Sequence, residues 1–464
     1  MKKIAKFLIV LGMIGQLSSC DYLDIVPDER AQESDTWKTE GAVRGYLYSC
    51  YGYLPANRTF GNSYWLAEEL TAVTKELFTT FKYGYYSPVS LGFTSNTWST
   101  IWNGIHQCYM FQESLKQVSN EYVTDEMKKQ YLAESNFLIA YYHFLSMRSY
   151  GPTMIIRSVI DLETPISGFP ERSSIDEVVA FINEKLDEAM SEGGLPTTWS
   201  GKDYGRATRL AALALKSRVY LYAASPLYNG NTEMYADFRS PLDGRQLIAQ
   251  EKSQAKWEIS ATQTKYAIDE VEKAKFHLYH DADAGEPSDA KPGLPNKAQR
   301  RLRYTNIDNQ TGNNPEIIWA DTRNDDYYGI QRRCPPRQTL GGKFAGISMT
   351  NCPTLQTIEA FYTKNGLPIN KDKTFDYDER YEYISAPENC DGNNYEDLVK
   401  YANFTPSSDK VMRLCTDREP RFYAWTTYHN GYFEFGKYNN EEISADPAKR
   451  AIRIHLLRDD PHGR

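Results

Sequence analysis

Outside the extreme N-terminus, apolar side chains crowd most densely into residues 131–156, YLAESNFLIAYYHFLSMRSYGPTMII, and over residues 137–147 only His143 and Ser146 interrupt them. A helix that is apolar nearly all round must be buried nearly all round, so this stretch predicts the central helix of the fold. Thr124 is placed to cap its start, Asp125 and Glu126 suit the positive end of the dipole, and Gly151-Pro152 stops it. The helix should run to roughly 25 residues, about 37 Å at 1.5 Å per residue. Ala140, Phe144 and Pro152 match the second-helix pattern of a tetratricopeptide unit, A-x3-F followed by a proline.

The same three-and-four spacing predicts further helices on either side. A first helix over residues 41–53 carries Val43, Leu47 and Cys50 on one face. Asn96 or Thr97 is placed to cap a second, with Trp98, Ile101, Trp102, Ile105, Cys108 and Tyr109 as its buried stripe. Ser174-x-x-Glu177 is a capping box ahead of Ile175, Val178, Val179, Ile182, Leu186 and Met190, and Gly193-Gly194-Leu195-Pro196 ends that helix. An alanine-rich helix over residues 206–224 follows, closed by Ser225-Pro226, so that two antiparallel helices form an αα-hairpin, the unit of helical solenoids. Residues 257–275 offer one more amphipathic helix. Beyond Asp281 the texture changes to Gly, Pro, Asn and Asp with short apolar islands, which predicts loops, small helices and a few strands. Pro353 there suits the first position of a short helix bearing Leu355, Ile358, Phe361 and Tyr362 and ended by Gly366.

At the start of the chain, Lys2, Lys3 and Lys6 precede an apolar run over residues 7–14 that is too short for a bilayer needing about 20 residues. It reads as the hydrophobic region of a secretory signal. The ending Leu17-Ser18-Ser19-Cys20 resembles a bacterial lipobox, in which Cys20 carries lipid, including palmitate, and becomes the mature first residue. A multiply acylated Cys20 would hold the protein on a membrane, anchored and not spanning.

With 464 residues the chain has length for one large or two moderate domains. Its formal charge of −8 includes the three signal lysines, and this acidic balance disfavours nucleic acid or anionic lipid as a partner. Tyrosine is abundant, 35 residues against 19 Phe, and a ring with a hydroxyl suits surfaces that contact something both greasy and hydroxylated. Apart from Cys20 there are Cys50, Cys108, Cys334, Cys352, Cys390 and Cys415, with no C-x-x-C pair, and they read as packing residues.

The order of these motifs resembles the SusD/RagB family of Bacteroidota outer-membrane lipoproteins. The resemblance runs through the leader Cys20-Asp21-Tyr22-Leu23-Asp24 with Pro27, the helices at 98–112 and 140–152, and the Ser174 helix. It continues through Gly205-Arg206-Ala207, Pro315-Glu316-Ile317-Ile318-Trp319 and Asp417-Arg418-Glu419-Pro420-Arg421. It implies a mainly α fold of tetratricopeptide-like helical hairpins, an α-α superhelix, carrying a loop-rich, irregular ligand-binding part. Such proteins cap a SusC-like TonB-dependent transporter, so the implied role is capture of an oligosaccharide, or alternatively a peptide, at the cell surface for import. Neither catalysis nor a cofactor belongs to that role. The organisation expected is a lipoprotein signal peptide over residues 1–19, an N-terminal helical region over 20–228 and a C-terminal loop-rich region over 229–464. The family usually continues past the last motif into a helix rich in Ala, Glu and Leu. Here a charged tail over residues 450–464 stands instead, as expected of a truncated or frame-shifted product less stable than one carrying that helix.

Sugar recognition needs flat aromatic faces against the apolar side of the ring and a few fixed polar groups around its hydroxyls. Loops supply these, and three clusters qualify as ligand contacts: Tyr83, Tyr85 and Tyr86; Trp65; and Asp326, Tyr327 and Tyr328 with Arg323 and Asn324 beside them. Residues 281–285 lack the third carboxylate and distal Glu of a calcium loop, and His277 and His280, three apart and able to share a helix face, lack a third ligand, so no metal site is expected. The chain has no G-x-S-x-G, H-E-x-x-H, P-loop or G-x-G-x-x-G fingerprint, which argues against an enzyme. A scaffold of helical repeats with only protein partners is the reading from a different class; it needs no aromatic loop cluster.

Overall fold

The computed structural model describes residues 37–55, 69–72, 92–161, 163–280, 297–307, 314–323, 351–384, 411–429, 432–434 and 451–453. The first part of the chain is helical: α1 (Glu40–Tyr51), α2 (Gly92–Leu115), α3 (Asp125–Tyr150), α4 (Ile175–Ala189), α5 (Arg209–Ala224), α6 (Thr232–Tyr235) and α7 (Gln254–Lys273). Several starts are marked by side chains that satisfy an otherwise orphaned N–H: Thr39, Thr124, Ser174 and Thr208 accept from Ala42, Met127, Glu177 and Ala211. At Ser174 the box is complete, because the Ser174 N–H donates back to Glu177 Oε2 at 2.7 Å.

α3 is the axis of the core, as its composition requires. Phe137, Leu138, Ile139, Ala140, Tyr142, Phe144 and Met147 have no exposed surface, and α2 and α4 pack along its two sides. The two polar interruptions are satisfied internally. The His143 ring bonds the Ile139 carbonyl through Nδ1 at 2.7 Å and accepts the Ile156 N–H at Nε2, while Ser146 meets Thr153 Oγ1 at 2.7 Å. Burial lowers the His143 imidazole to about 4, so it sits neutral in the core. Gly151 at φ 71° ends the helix, and β2 (Thr153–Met154) then pairs antiparallel with β3 (Arg172–Ser173). α5 packs on both α4 and α7. Residues 229–256 fold back on this layer, where the Ile175 N–H donates to the Leu247 carbonyl and Ile248 joins the core.

The later part is built from short pieces. α8 (Lys297–Ile307), α9 (Leu355–Ala360) and α10 (Pro420–Trp425) accompany two-stranded antiparallel ladders: β1 (Leu70–Ala72) with β4 (Asn351–Pro353), β5 (Tyr383–Ile384) with β6 (Val411–Met412), and β7 (Tyr432–Glu434) with β8 (Ala451–Arg453). A second small core gathers Ile358, Ile369, Phe375, Val411, Leu414, Phe422 and Tyr428. Arg418, 3% exposed, pins it by donating to the carbonyls of Leu414, Ile358 and Phe361 at 2.7, 2.7 and 2.6 Å.

Some boundaries differ from the sequence expectation. α2 starts at Gly92, ahead of Asn96, since no proline or glycine interrupts residues 93–103. α5 starts at Arg209 instead of Arg206 because Thr208 is the capping residue; Arg206 is thereby left free of the helix. Pro353 lies in β4, and Thr354 caps α9, accepting from Thr357. His277 and His280 do not share a helix, since α7 has ended and Lys275 turns the chain at φ 71°; their rings stack 5.4 Å apart. Among the described residues no helix is long and apolar enough to cross a membrane, and no group of three His, Cys, Asp or Glu gathers as metal ligands. Cys50 and Cys108 are buried free thiols, Cys352 and Cys415 half-buried ones; Cys334 and Cys390, residues 281–285 and everything before Trp37, Cys20 included, lie outside the described residues.

A candidate ligand cleft

Between α1, α3, α5 and the segments 202–206 and 319–323 lies a cleft of about 890 Å³. Its floor is a buried polar knot. Arg206 Nη2 donates to Glu134 Oε1 at 2.5 Å and Nε to Oε2 at 3.2 Å, while Nη1 reaches Asp203 at 2.8 Å. Tyr51 of α1 donates to Glu134 Oε2 at 2.6 Å and accepts the Ala207 N–H at 2.9 Å, so one hydroxyl ties α1, α3 and the approach to α5 together. Burial raises the Tyr51 phenol well above its ordinary value, the more so beside the Glu134 charge. The guanidinium of Arg206 lies 4.1 Å over the Trp199 ring.

The wall opposite depends on one glycine. Gly205 has φ 98°, and a Cβ there would come within 2.8 Å of Thr322, so only glycine lets the two segments touch. Its carbonyl accepts from Trp319 Nε1 at 2.8 Å, and the Trp319 ring stands edge-on to Tyr141 and Phe137 at 5.5 and 5.1 Å. Arg323 closes the far end: Nη1 and Nη2 donate to the carbonyls of Leu54 and Pro55, both at 2.9 Å, and Nε and Nη2 bind both oxygens of Asp321. Tyr48, Tyr204, Arg148, Lys202 and Arg218 complete the rim.

The arrangement offers flat rings beside fixed donors, the combination that binds a hydroxylated ring. Its described lining holds one carboxylate, Asp321, and no serine, cysteine or histidine. Of the ligand contacts expected from sequence, the structure places Arg323 in this cleft, held by carbonyls and Asp321. Trp65, Tyr83, Tyr85, Tyr86, Asn324, Asp326, Tyr327 and Tyr328 lie outside the described residues. Sequence reasoning passed over Tyr48, Tyr204 and Arg218. The signals available were a tyrosine three residues before Tyr51, on an edge of α1 apart from the Val43–Leu47 stripe, and a third basic residue, after Arg209 and Lys216, in a helix whose other residues are mostly small or apolar.

Residues 21–221 match the model of a SusD-like family described as starch-binding and associating with the outer membrane, and residues 315–452 match the model of the SusD family. The chain belongs to the SusD/RagB family. Its mostly helical, tetratricopeptide-like architecture is the one this membership carries. The solved structure of BT4246 is 28% identical with a TM-score of 0.67, over 86% of this chain and 66% of that one. A selenomethionine form of BT4246 gives 27% and 0.64, over 84% and 65%. A SusD-like protein of Bacteroides fragilis, BF3747, is 19% identical with a TM-score of 0.60, over 93% and 66%, and so shares the fold. This SusD/RagB chain thus spans just under two-thirds of the length of each. A search among curated proteins finds no match.

Proposed function

We propose that this protein is a glycan-binding lipoprotein, anchored on the cell surface through acylated Cys20, that captures oligosaccharide and passes it to a partner SusC-like TonB-dependent transporter. The observation that carries the reading is the cleft itself, in which Trp319, Tyr204 and Tyr48 stand beside Arg206 and Arg323, in a family whose model is described as starch-binding. Trp65, Tyr83, Tyr85, Tyr86, Arg323, Asn324, Asp326, Tyr327 and Tyr328 are the loop residues we assign to the same ligand. In this role the protein carries out no chemistry and needs no cofactor.

The test is retardation of the full chain, solubilised in detergent, on native gels cast with a panel of polysaccharides. Retardation that disappears in Tyr204→Ala, with an unchanged thermal midpoint, supports the cleft as the site. Free migration through every polysaccharide by folded protein overturns the glycan reading and turns the search to peptides.

A further inference from the structure

The charge of the cleft is opposite to that of the chain. The protein carries −8 overall, yet five cationic side chains and one carboxylate, Asp321, line the cleft in its described part. Arg206 and Arg323 are already answered, the first by Glu134 and Asp203, the second by Asp321 and two carbonyls. Lys202 and Arg218 are different. Both are exposed, and neither makes an ion pair or hydrogen bond among the described residues. One comes from the turn before Arg206 and the other from the middle of α5, so no local sequence pattern brings them to one rim.

A site for neutral sugars gains nothing from unanswered positive charges on its rim, since hydroxyls are served by neutral donors and acceptors as well. A carboxylate or a sulfate is served by cations far better, through charge-assisted bonds that a guanidinium makes two at a time. The neighbouring rings of Tyr204 and Tyr48 would carry the sugar face while these groups hold the acid. We infer that the cleft takes an acidic oligosaccharide, one bearing carboxylate or sulfate groups, with Lys202 and Arg218 as the residues that select the charge. The inference rests on the reading of the cleft as a glycan site and adds the chemical class of the glycan.

The experiment is calorimetric titration of the detergent-solubilised full chain with three probes: oligogalacturonate for the carboxylate, a carrageenan oligosaccharide for the sulfate, and maltoheptaose as the neutral control. We expect one acidic probe to bind at least tenfold more tightly than maltoheptaose, and the successful one identifies the group recognised. Raising salt from 50 to 500 mM should weaken it several-fold, because the partners are exposed. The Lys202→Gln, Arg218→Gln double variant should lose about tenfold in affinity for that probe at an unchanged thermal midpoint. Maltoheptaose bound as tightly as both acidic probes, or an acidic probe indifferent to salt and to the double variant, overturns this inference and leaves the glycan reading standing. No binding of any of the three overturns both.

Discussion

Arg206 and Glu134 stand 72 residues apart in sequence and 2.5 Å apart in space, Nη2 to Oε1, with Glu134 fully buried and Arg206 nearly so. Burial pushes the Glu134 carboxyl up and works against the charge of Arg206 as well, but the hydrogen bonds that Arg206 donates to Glu134 and Asp203 hold the guanidinium above its ordinary range. Two guanidinium N–H groups and the Tyr51 hydroxyl all point at the two carboxylate oxygens, and three donors suit the ionised form.

Breaking such a pair from one side leaves a buried charge without its partner, at a cost of about 3–5 kcal/mol. Glu134→Ala should therefore lower the denaturant midpoint sharply. Glu134→Leu combined with Arg206→Met, which removes both charges, should recover a large part of the loss. A Glu134→Ala midpoint equal to that of the parent would show that the knot does not hold α1, α3 and the α5 approach together.

A second prediction concerns close packing. A Cβ on Gly104 of α2 would lie 2.8 Å from the ring of Tyr142, whose hydroxyl is tied to the Cys50 carbonyl at 2.5 Å. That ring is fully buried at the crossing of α1, α2 and α3 and has no room to yield. Gly104→Ala should destabilise by roughly 1–3 kcal/mol, although alanine is the better helix former, and thermal melts decide the sign.

These two sites mark what the sequence makes legible and what it does not. The α3 helix can be read because burial, capping and termination are all local: Thr124, the run over 137–147 and Gly151-Pro152 each act within a few residues. The Ser174 box and the faces of α1 and α4 follow for the same reason. The cleft cannot be read this way, because its wall is assembled from five separate stretches, and Gly205 matters only through its distance to Thr322. Arg323 illustrates the limit: chosen as a polar neighbour of Tyr327 and Tyr328, it is committed to Asp321 and to carbonyls more than 260 positions away.

The buried imidazole gives a dependence on pH. His143 has its folded value lowered to about 4 by burial, against about 6.5 when unfolded. Between those values the unfolded chain binds a proton that the folded core refuses, so the stability present above pH 6.5 is lost as pH falls toward 4. The full difference amounts to roughly 3 kcal/mol, and a His143→Gln variant should lack it. Unfolding free energies of both proteins at pH 7 and pH 4.5 provide the check: the parent should fall more than the variant, whose carboxylates titrate alike. Parallel losses would mean that His143 is not the group responsible.

The last prediction concerns Arg418, which among the described residues holds the second core together through carbonyls, with no carboxylate in ion-pair contact. Its guanidinium donates to carbonyls of Leu414, Ile358 and Phe361, joining the end of α9 to the turn that precedes α10, and its carbon lies 4.9 Å from the Phe422 ring centre. Burial lowers its pKa below the ordinary arginine value, yet the group remains cationic far above neutral pH. A lysine keeps the charge but concentrates three donors at a single point, which cannot span carbonyls on two sides of a planar fork. At least one buried carbonyl then goes unsatisfied, at about 1–3 kcal/mol. Arg418→Lys should thus destabilise this core while leaving the helices around α3 intact. Hydrogen exchange separates the two: protection should fall at residues 358–375 and 411–428 and persist over 131–147. Uniform loss across both stretches would instead make the two cores one cooperative unit, with Arg418 stabilising the whole.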